Sequence, residues 1–285
     1  MKNKLYLITG ITSQLGKALT RELVKDETNY IIGIVREEKF VEVKEFYKCY
    51  KNIIIMMAKK GESGLIKTVL SLYEPDVIIN LAAKTSVAGS NEAPEEYMYV
   101  NADQTYSILN SIRQVMGPTY NPLFINASSI EIFGNSNGAL FEARSEKTPI
   151  APTNIYGLSK AAAHMAVDTY RQVYGIRAVN LILSNFISEF QDSKFVVGKV
   201  VNYLFSSMSE KLTLGNVDSI RDWSYVDDIV GAIQIIVLDG TSTNYCVASG
   251  NKMTVREIIE LFFSSAEIDN PYDYITIEKK LFRVG

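Results

Sequence analysis

Few residues in this chain can hold a metal or close a disulfide. Histidine occurs once and cysteine twice in 285 positions, and Cys49 and Cys246 stand far apart with no zinc-type spacing. The expectation is reduced thiols and no metal. Positive charge is also in short supply: 29 Lys and Arg against 32 Asp and Glu leave a net charge of −3, which excludes the electrostatic footprint of a nucleic-acid binder. No run of eighteen apolar residues occurs, so no membrane span is expected. The N-terminus lacks a signal-peptide apolar core with a cleavage site, and the expected compartment is the cytoplasm. His164, the single histidine, is read as a satisfied or exposed helix residue.

What the chain does contain is a regular alternation. Short apolar runs at Leu5–Thr9, Tyr30–Val35, Ile53–Met57, Val77–Leu81, Leu123–Ala127 and Ala178–Leu183 read as buried strands. Segments of helical periodicity lie between most of them: 15–24, 65–73, 100–116 and 156–174. Strands alternating with helices predict βαβ units and a parallel sheet covered on both faces. The expected fold class is therefore α/β, a doubly wound Rossmann-like sheet whose ligands sit at the carboxyl ends of its strands. After Asn185 the alternation fades, and a smaller C-terminal lobe is expected. The expected organisation is a dinucleotide-binding domain over 1–184, with a returning segment near 222–250, and a substrate-binding lobe over 185–221 and 251–285. In that lobe Thr254 and Glu257 have the spacing of a capping box.

The first strand runs into Gly10-x5-Gly16 and then a helix, the context of a dinucleotide fingerprint. Gly10 would allow the tight turn and Gly16 close helix–sheet packing, while the helix N-terminus favours a pyrophosphate. Ser13 stands where the middle glycine belongs; it takes space but brings a hydroxyl. The expected cofactor contacts on this turn are Gly10, Thr12, Ser13, Gln14, Leu15 and Gly16. At the end of the second strand an acid would hold a ribose 2′-hydroxyl, and an arginine a 2′-phosphate. Arg36 comes first in Arg36-Glu37-Glu38, so NADP(H) is the expected cofactor. The two glutamates read as solvated charges, though either would turn the choice toward NAD if it held the ribose.

Tyr156 and Lys160 stand at i and i+4, on one face of a helix. A positive charge beside a phenol favours phenolate, which suits Tyr156 to proton transfer. The strand Leu123–Ala127 leads into Ser128-Ser129, hydroxyls able to hydrogen-bond a carbonyl oxygen as charge builds on it. Glu131 follows as a candidate acid or base.

These segments carry a resemblance. Thr9–Gly16, Asn80-Leu81-Ala82-Ala83, Ser128–Gly134 and Tyr156-Gly157-Leu158-Ser159-Lys160 resemble an extended short-chain dehydrogenase/reductase. Asn180, Leu183, Asn185, Leu214–Asp218 and Arg221-Asp222-Trp223 are similar to GDP-mannose 4,6-dehydratases and the related GDP-4-keto-6-deoxymannose reductases. The resemblance implies that Ser129 polarises the C4 carbonyl, that Tyr156 moves the proton at O4, and that Lys160 activates Tyr156 and binds ribose. It implies a carboxylate for elimination at Glu131, cofactor contacts at Leu81, Ala82 and Ala83, and sugar-nucleotide contacts at Thr85, Ser86, Asn185, Lys199 and Arg221. Trp223 reads as packing.

Some positions depart from the dehydratase pattern. A histidine and paired arginines that grip NADP correspond here to Phe186, Phe190 and Gln191, an aspartate near the adenine to Ala58, and a glutamine to Lys84. A dehydratase returns the hydride it removes, whereas a reductase must exchange NADPH at every turnover. Weakened grips therefore favour NADPH-dependent reduction of a GDP-linked 4-keto-6-deoxy sugar, in nucleotide-sugar supply for surface polysaccharide. The alternatives are a GDP-mannose-type 4,6-dehydratase and a non-catalytic nucleotide-sugar or NADP sensor. A homodimer or higher homo-oligomer is expected.

Overall fold

Seven strands, all parallel, form the main sheet of the computed structural model, which describes residues 3–59, 64–134 and 143–279. In chain order they are β1 (Leu5–Thr9), β2 (Tyr30–Arg36), β3 (Ile53–Ala58), β4 (Val77–Asn80), β5 (Leu123–Ser129), β6 (Ala178–Leu183) and the strand Asn244–Val247. Their spatial order runs from Asn244–Val247 through β6, β5, β4, β1 and β2 to β3. The chain thus builds outward from β1 to β3, then returns to β4 on the other side of β1. That reversal between β1 and β4 is where a doubly wound sheet opens its ligand crevice. The fold is the expected Rossmann-like α/β sheet.

The helices that precede or follow these strands are α1 (Gln14–Leu23), α2 (Phe40–Tyr47), α3 (Leu65–Tyr73), α4 (Val87–Glu92), α5 (Pro94–Tyr97), α6 (Gln104–Val115) and α7 (Ile155–Tyr174), with a further helix at Val226–Asp239 ahead of the last strand. Because helices cover the sheet, its strands read as continuous apolar runs; β4 and β6 are buried throughout. The core joins Leu7, Ile78 and Phe124 of the sheet to Leu70 of α3, Leu109 of α6 and Val167 of α7. Each such side chain contributes roughly 1.5–3 kcal/mol by leaving water. One local expectation needs correction. The helix expected from Val100 begins instead in a π-helical turn, Met98–Asp103, ahead of α6. β5 runs on through Ser128 and Ser129, which pair with Ile182 and Leu183 of β6 and so end the strand in hydroxyls.

A row of polar side chains crosses this apolar sheet. Thr9, Asn80, Asn126, Asn180 and Asn244 are register partners on five adjacent strands. Thr9 Oγ1 donates to Asn80 Oδ1 (2.6 Å), Asn80 Nδ2 to Asn126 Oδ1 (3.1 Å), Asn126 Nδ2 to Asn180 Oδ1 (2.9 Å) and Asn180 Nδ2 to Asn244 Oδ1 (3.3 Å). Strand spacing of about 4.8 Å lets one amide reach the next. The row lies beneath the strand ends that carry Gly10, Leu81 and Ser129.

The chain divides into two compact units, Met1–Leu183 with Asp227–Val247, and Ser184–Val226 with Ala248–Gly285. Of the second, residues 280–285 lie outside the described residues. Its sheets are Lys252–Thr254, Ile220–Tyr225 and Asn185–Ile187 in one, and Ile275–Ile277 with Leu212–Leu214 in the other. Helices Val196–Leu204 and Val255–Ser265 pack on them through Val200, Val255, Ile259 and Phe263. The expected capping box is formed: Thr254 accepts from the Glu257 N–H, and Glu257 Oε2 accepts from the Thr254 N–H at 2.6 Å.

Candidate active site

Asn154 starts helix α7, its Oδ1 accepting the Gly157 N–H at 2.8 Å. The first turn therefore opens at Tyr156, whose own N–H donates to Ser90 Oγ of α4 at 3.2 Å. Opposite this turn runs the end of β5. Ser129 Oγ accepts the Glu131 N–H at 3.2 Å and is hydrogen-bonded to the Tyr156 phenol. Glu131 follows on the 3-10 turn Ile130–Phe133, and its Oε2 accepts from Asn154 Nδ2 at 2.8 Å. A Cβ at position 157 would meet Glu131 O at 2.5 Å, so only glycine allows this turn to pack against α7. The structure thus brings Ser129, Glu131, Tyr156 and Lys160 together.

The electrostatics differ from the simple Tyr–Lys expectation. Burial pushes the Tyr156 phenol up to about 12; the Ser129 hydrogen bond works against this, and the charges of Glu131 and Tyr97 add to it. Burial pushes the Lys160 amine down to about 8. Its Nζ donates to Ala127 O at 2.6 Å, which uses one of the ammonium's three protons and anchors it to the strand. Ser129 is the group that favours phenolate here, because it hydrogen-bonds the charged form. A phenol, a hydroxyl and a carboxylate converge, which suits moving one proton at a sugar oxygen and a second at a neighbouring carbon.

Asn101 of the π-helical turn, buried, was not legible as a site residue. It accepts the Lys84 N–H at 2.8 Å, and its Nδ2 reaches Lys84 O and Ser159 Oγ, both at 2.9 Å. It thereby ties the segment after β4 to α7. Asn154 could have been found: an asparagine just ahead of a periodic run is a helix-start signal.

The glycine turn fits a dinucleotide. Gly10 has φ +69°, and a Cβ there would meet Ala82 N at 2.6 Å; a Cβ on Gly16 would collide with Gly10 O. Ser13 is explained by capping, since its Oγ accepts the Gly16 N–H at 3.0 Å and its proton remains able to donate. The first ladder bond of α1 is Lys17 N–H to Ser13 O, so the Gln14 and Leu15 amides precede it. Thr12 is exposed on the turn. Leu81 N–H donates to Thr9 O at 3.1 Å, bringing Leu81, Ala82 and Ala83 beside Gly10. Arg36 ends β2 with its side chain 74% exposed, paired to Glu38 at 2.9 Å. Such an exposed pair holds weakly and leaves the guanidinium able to turn to a ligand.

Thr85 is exposed, and Ser86 caps α4 by accepting the Gly89 N–H at 3.0 Å. The remaining expected contacts belong to the second unit. Asn185 and Arg221 lie on adjacent paired strands, and Lys199 is on Val196–Leu204. Asp222 accepts the Ser249 and Gly250 N–H groups at 3.0 and 2.7 Å, and Trp223 Nε1 donates to Met253 O at 3.1 Å. Those two residues therefore build the frame around Arg221.

The GDP-mannose 4,6 dehydratase family model matches residues 7–281. GDP-mannose 4,6 dehydratase 1 of Arabidopsis thaliana is 30% identical, over 98% of this chain and 79% of its own length. Among solved structures, dTDP-glucose 4,6-dehydratase from Bacillus anthracis in complex with NAD superposes with a TM-score of 0.83 at 20% identity, covering 97% of this chain and 84% of that one. RMD from Pseudomonas aeruginosa complexed with NADPH gives 0.74 at 21% identity, covering 99% and 86%. The structures share the fold, and the sequence match carries the family. With its glycine turn, its Ser129–Tyr156–Lys160 cluster and this match over nearly the whole length, the chain is an extended short-chain dehydrogenase/reductase and belongs to the GDP-mannose 4,6 dehydratase family of nucleotide-sugar enzymes.

Proposed function

We propose that this protein is a 4,6-dehydratase of a GDP-linked hexose, converting it to the 4-keto-6-deoxy sugar with loss of water. Family membership and the name carried by its relatives support this over the reductase expected from Phe186, Phe190 and Gln191. The observation that carries it is Glu131, a carboxylate anchored by Asn154 beside the Ser129–Tyr156 pair. Reduction at C4 needs one proton-transfer group; elimination across C5 and C6 needs a second.

Tyr156 takes the proton from O4 while Ser129 hydrogen-bonds the same oxygen as it becomes a carbonyl. That carbonyl acidifies the C5 hydrogen, and Glu131 removes it. The hydroxyl at C6 departs as water with the proton passed from Glu131, leaving the carboxylate as it began. When bound, a nicotinamide cofactor would hold the C4 hydride and return it to C6; C5 regains a proton as Tyr156 gives up the one it took from O4, so the reaction is redox-neutral and both side chains end as they began. Gly10, Thr12, Ser13, Gln14, Leu15, Gly16, Leu81, Ala82 and Ala83 would hold that cofactor, with Lys160 at the ribose. Neighbours of this fold carry NAD or NADPH, so the preference for NADP rests on Arg36. Thr85, Ser86, Asn185, Lys199 and Arg221 would hold the sugar nucleotide, the cations serving its pyrophosphate. The reading includes a homodimer or higher homo-oligomer, which sedimentation velocity tests.

The deciding experiment incubates the purified protein with GDP-mannose and no added reductant, followed by mass spectrometry. Loss of one water with formation of a 4-keto product supports the dehydratase. Inert GDP-mannose, with NADPH consumed when a GDP-4-keto-6-deoxy sugar is supplied, restores the reductase; tight binding with neither reaction leaves the sensor. For the cofactor, Arg36→Ala should remove most of the preference for NADP over NAD, a loss of roughly 1.5–3 kcal/mol. Equal affinities in the parent protein would refute that assignment.

A further inference from the structure

Helix α7 grips the end of β5 at three successive residues. Tyr156 is hydrogen-bonded to Ser129, Lys160 Nζ donates to Ala127 O at 2.6 Å, and His164 Nδ1 lies 3.0 Å from Ser128 Oγ. The three helix residues are spaced i, i+4 and i+8, a single stripe. Two rungs are accounted for by the proposed chemistry; the third, His164, is not.

Both ring nitrogens of His164 have partners. Arg171 donates to Asn244 Oδ1 from both Nη1 and Nη2, at 3.1 Å each. Asn244 therefore turns its Nδ2 toward Asp168 Oδ2 (3.2 Å) and His164 Nε2 (3.3 Å). Nε2 thus faces an amide donor and a carboxylate, and Nδ1 shares a hydrogen bond with Ser128 Oγ at 3.0 Å. Asp168 Oδ2 stands 3.5 Å from Nε2 and is shared with Asn244, while Arg171 Nη2 holds Asp168 Oδ1 at 2.6 Å. Ser128 and His164 are both almost fully buried, so this bond does not face solvent.

Ser128 and Ser129 are consecutive residues at the end of β5, joined by one planar peptide, so a constraint on Ser128 is a constraint on Ser129. We propose that His164 is a positioning residue: by holding Ser128 it sets the Ser129 hydroxyl against Tyr156, and so governs proton transfer at the substrate oxygen without touching substrate. The inference rests on the proposed roles of Ser129 and Tyr156.

Three variants test it. His164→Phe removes both ring nitrogens. His164→Asn keeps a donor near the Nδ1 position, and His164→Gln keeps one near Nε2 instead. With GDP-mannose as substrate, the Phe variant should lose roughly tenfold to a hundredfold in kcat with KM unchanged, the penalty of a misplaced reacting group. The Asn variant should recover most of that loss and the Gln variant should not. 3-Fluorotyrosine at position 156, read by 19F NMR, should change shift in the Phe variant and return in the Asn variant. This second readout needs no turnover, so it tests the inference even if the parent protein fails to dehydrate GDP-mannose. If His164→Phe does not fold, Ser128→Ala should show the same kcat loss and the same 19F change. Unchanged kcat and 19F signal in folded His164→Phe or Ser128→Ala, or rescue by Gln equal to that by Asn, would overturn the proposal.

Discussion

The two units treat their polar side chains in opposite ways. In the first, buried polar groups near the proposed chemistry are paired: Thr9, Asn80, Asn126 and Asn180 bond in sequence, and Ser129, Glu131 and Lys160 each have a named partner. In the second, the half-buried side chains of Asn185 and Lys199 form no hydrogen bond or ion pair among the described residues, and Gln191 Oε1 is buried without a partner. A buried acceptor left unpaired costs about 1–3 kcal/mol, a cost that a ligand donor would relieve. The difference teaches a division of labour. The groups proposed to move protons are held in place before substrate arrives, whereas Asn185 and Lys199, two of those proposed to grip the sugar nucleotide, keep their side-chain hydrogen-bonding capacity unused among the described residues.

The sharpest test on the paired side is Tyr156→Phe. It removes one oxygen and little volume, so the fold should survive while kcat falls by about two to four orders of magnitude. Near-normal turnover in a steady-state assay would remove Tyr156 from the mechanism. Asn126→Leu tests the pairing itself. Asn126 accepts from Asn80 and donates to Asn180, so leucine strands one buried acceptor and one donor that still reaches Thr105. Stability should fall by roughly 2–4 kcal/mol, measured by urea unfolding. A variant as stable as the parent would show that the row is not part of what holds the sheet.

The unpaired side should respond in the opposite sense. Lys199→Gln removes a charge that bonds nothing among the described residues, so its melting temperature should hold. Its KM for the sugar nucleotide should rise by roughly tenfold or more, as expected for one charge-assisted contact to a phosphate. A fall in stability with KM unchanged would place Lys199 in the structural frame instead.

This division also explains what could be read from sequence. The buried strands announce themselves as apolar runs, and the glycine turn and the Tyr156–Lys160 spacing are local patterns. The asparagine row is not local: Thr9, Asn80, Asn126, Asn180 and Asn244 become neighbours only once strand order and register are known. His164 looks unremarkable on its own helix because its partners come from β5 and from Asn244–Val247. The direction of Lys160 toward Ala127 O is equally invisible in a spacing of four. In the second unit the strands are three to six residues long; Leu212–Leu214 lies in a run, 211–214, that reads as strand-like, while the others are too short for periodicity to separate them from loops.

The smallest expected effect concerns what holding Lys160 in place does to stability. Burial lowers its folded pKa from 10.5 to about 8, so between those values the unfolded chain binds more protons than the folded one. Stability therefore rises with pH across that window. Below pH 8 the amine is charged in both states, and the folded chain bears the full penalty, roughly 3 kcal/mol. Tyr156 has the opposite sign: its raised pKa gives stability that is present below pH 10 and is lost as pH climbs toward 12, so measurements belong below pH 10. Lys160→Met removes the buried charge but strands Ala127 O, which offsets about 1–2 kcal/mol of the gain. The variant should therefore be more stable than the parent by about 1–2 kcal/mol at pH 7, with the gain shrinking or reversing by pH 9.5, while turnover is lost. Urea unfolding at both pH values reads the difference. A variant less stable at pH 7, or a gain that does not shrink with pH, would mean that the folded protein supplies Lys160 with more than one carbonyl.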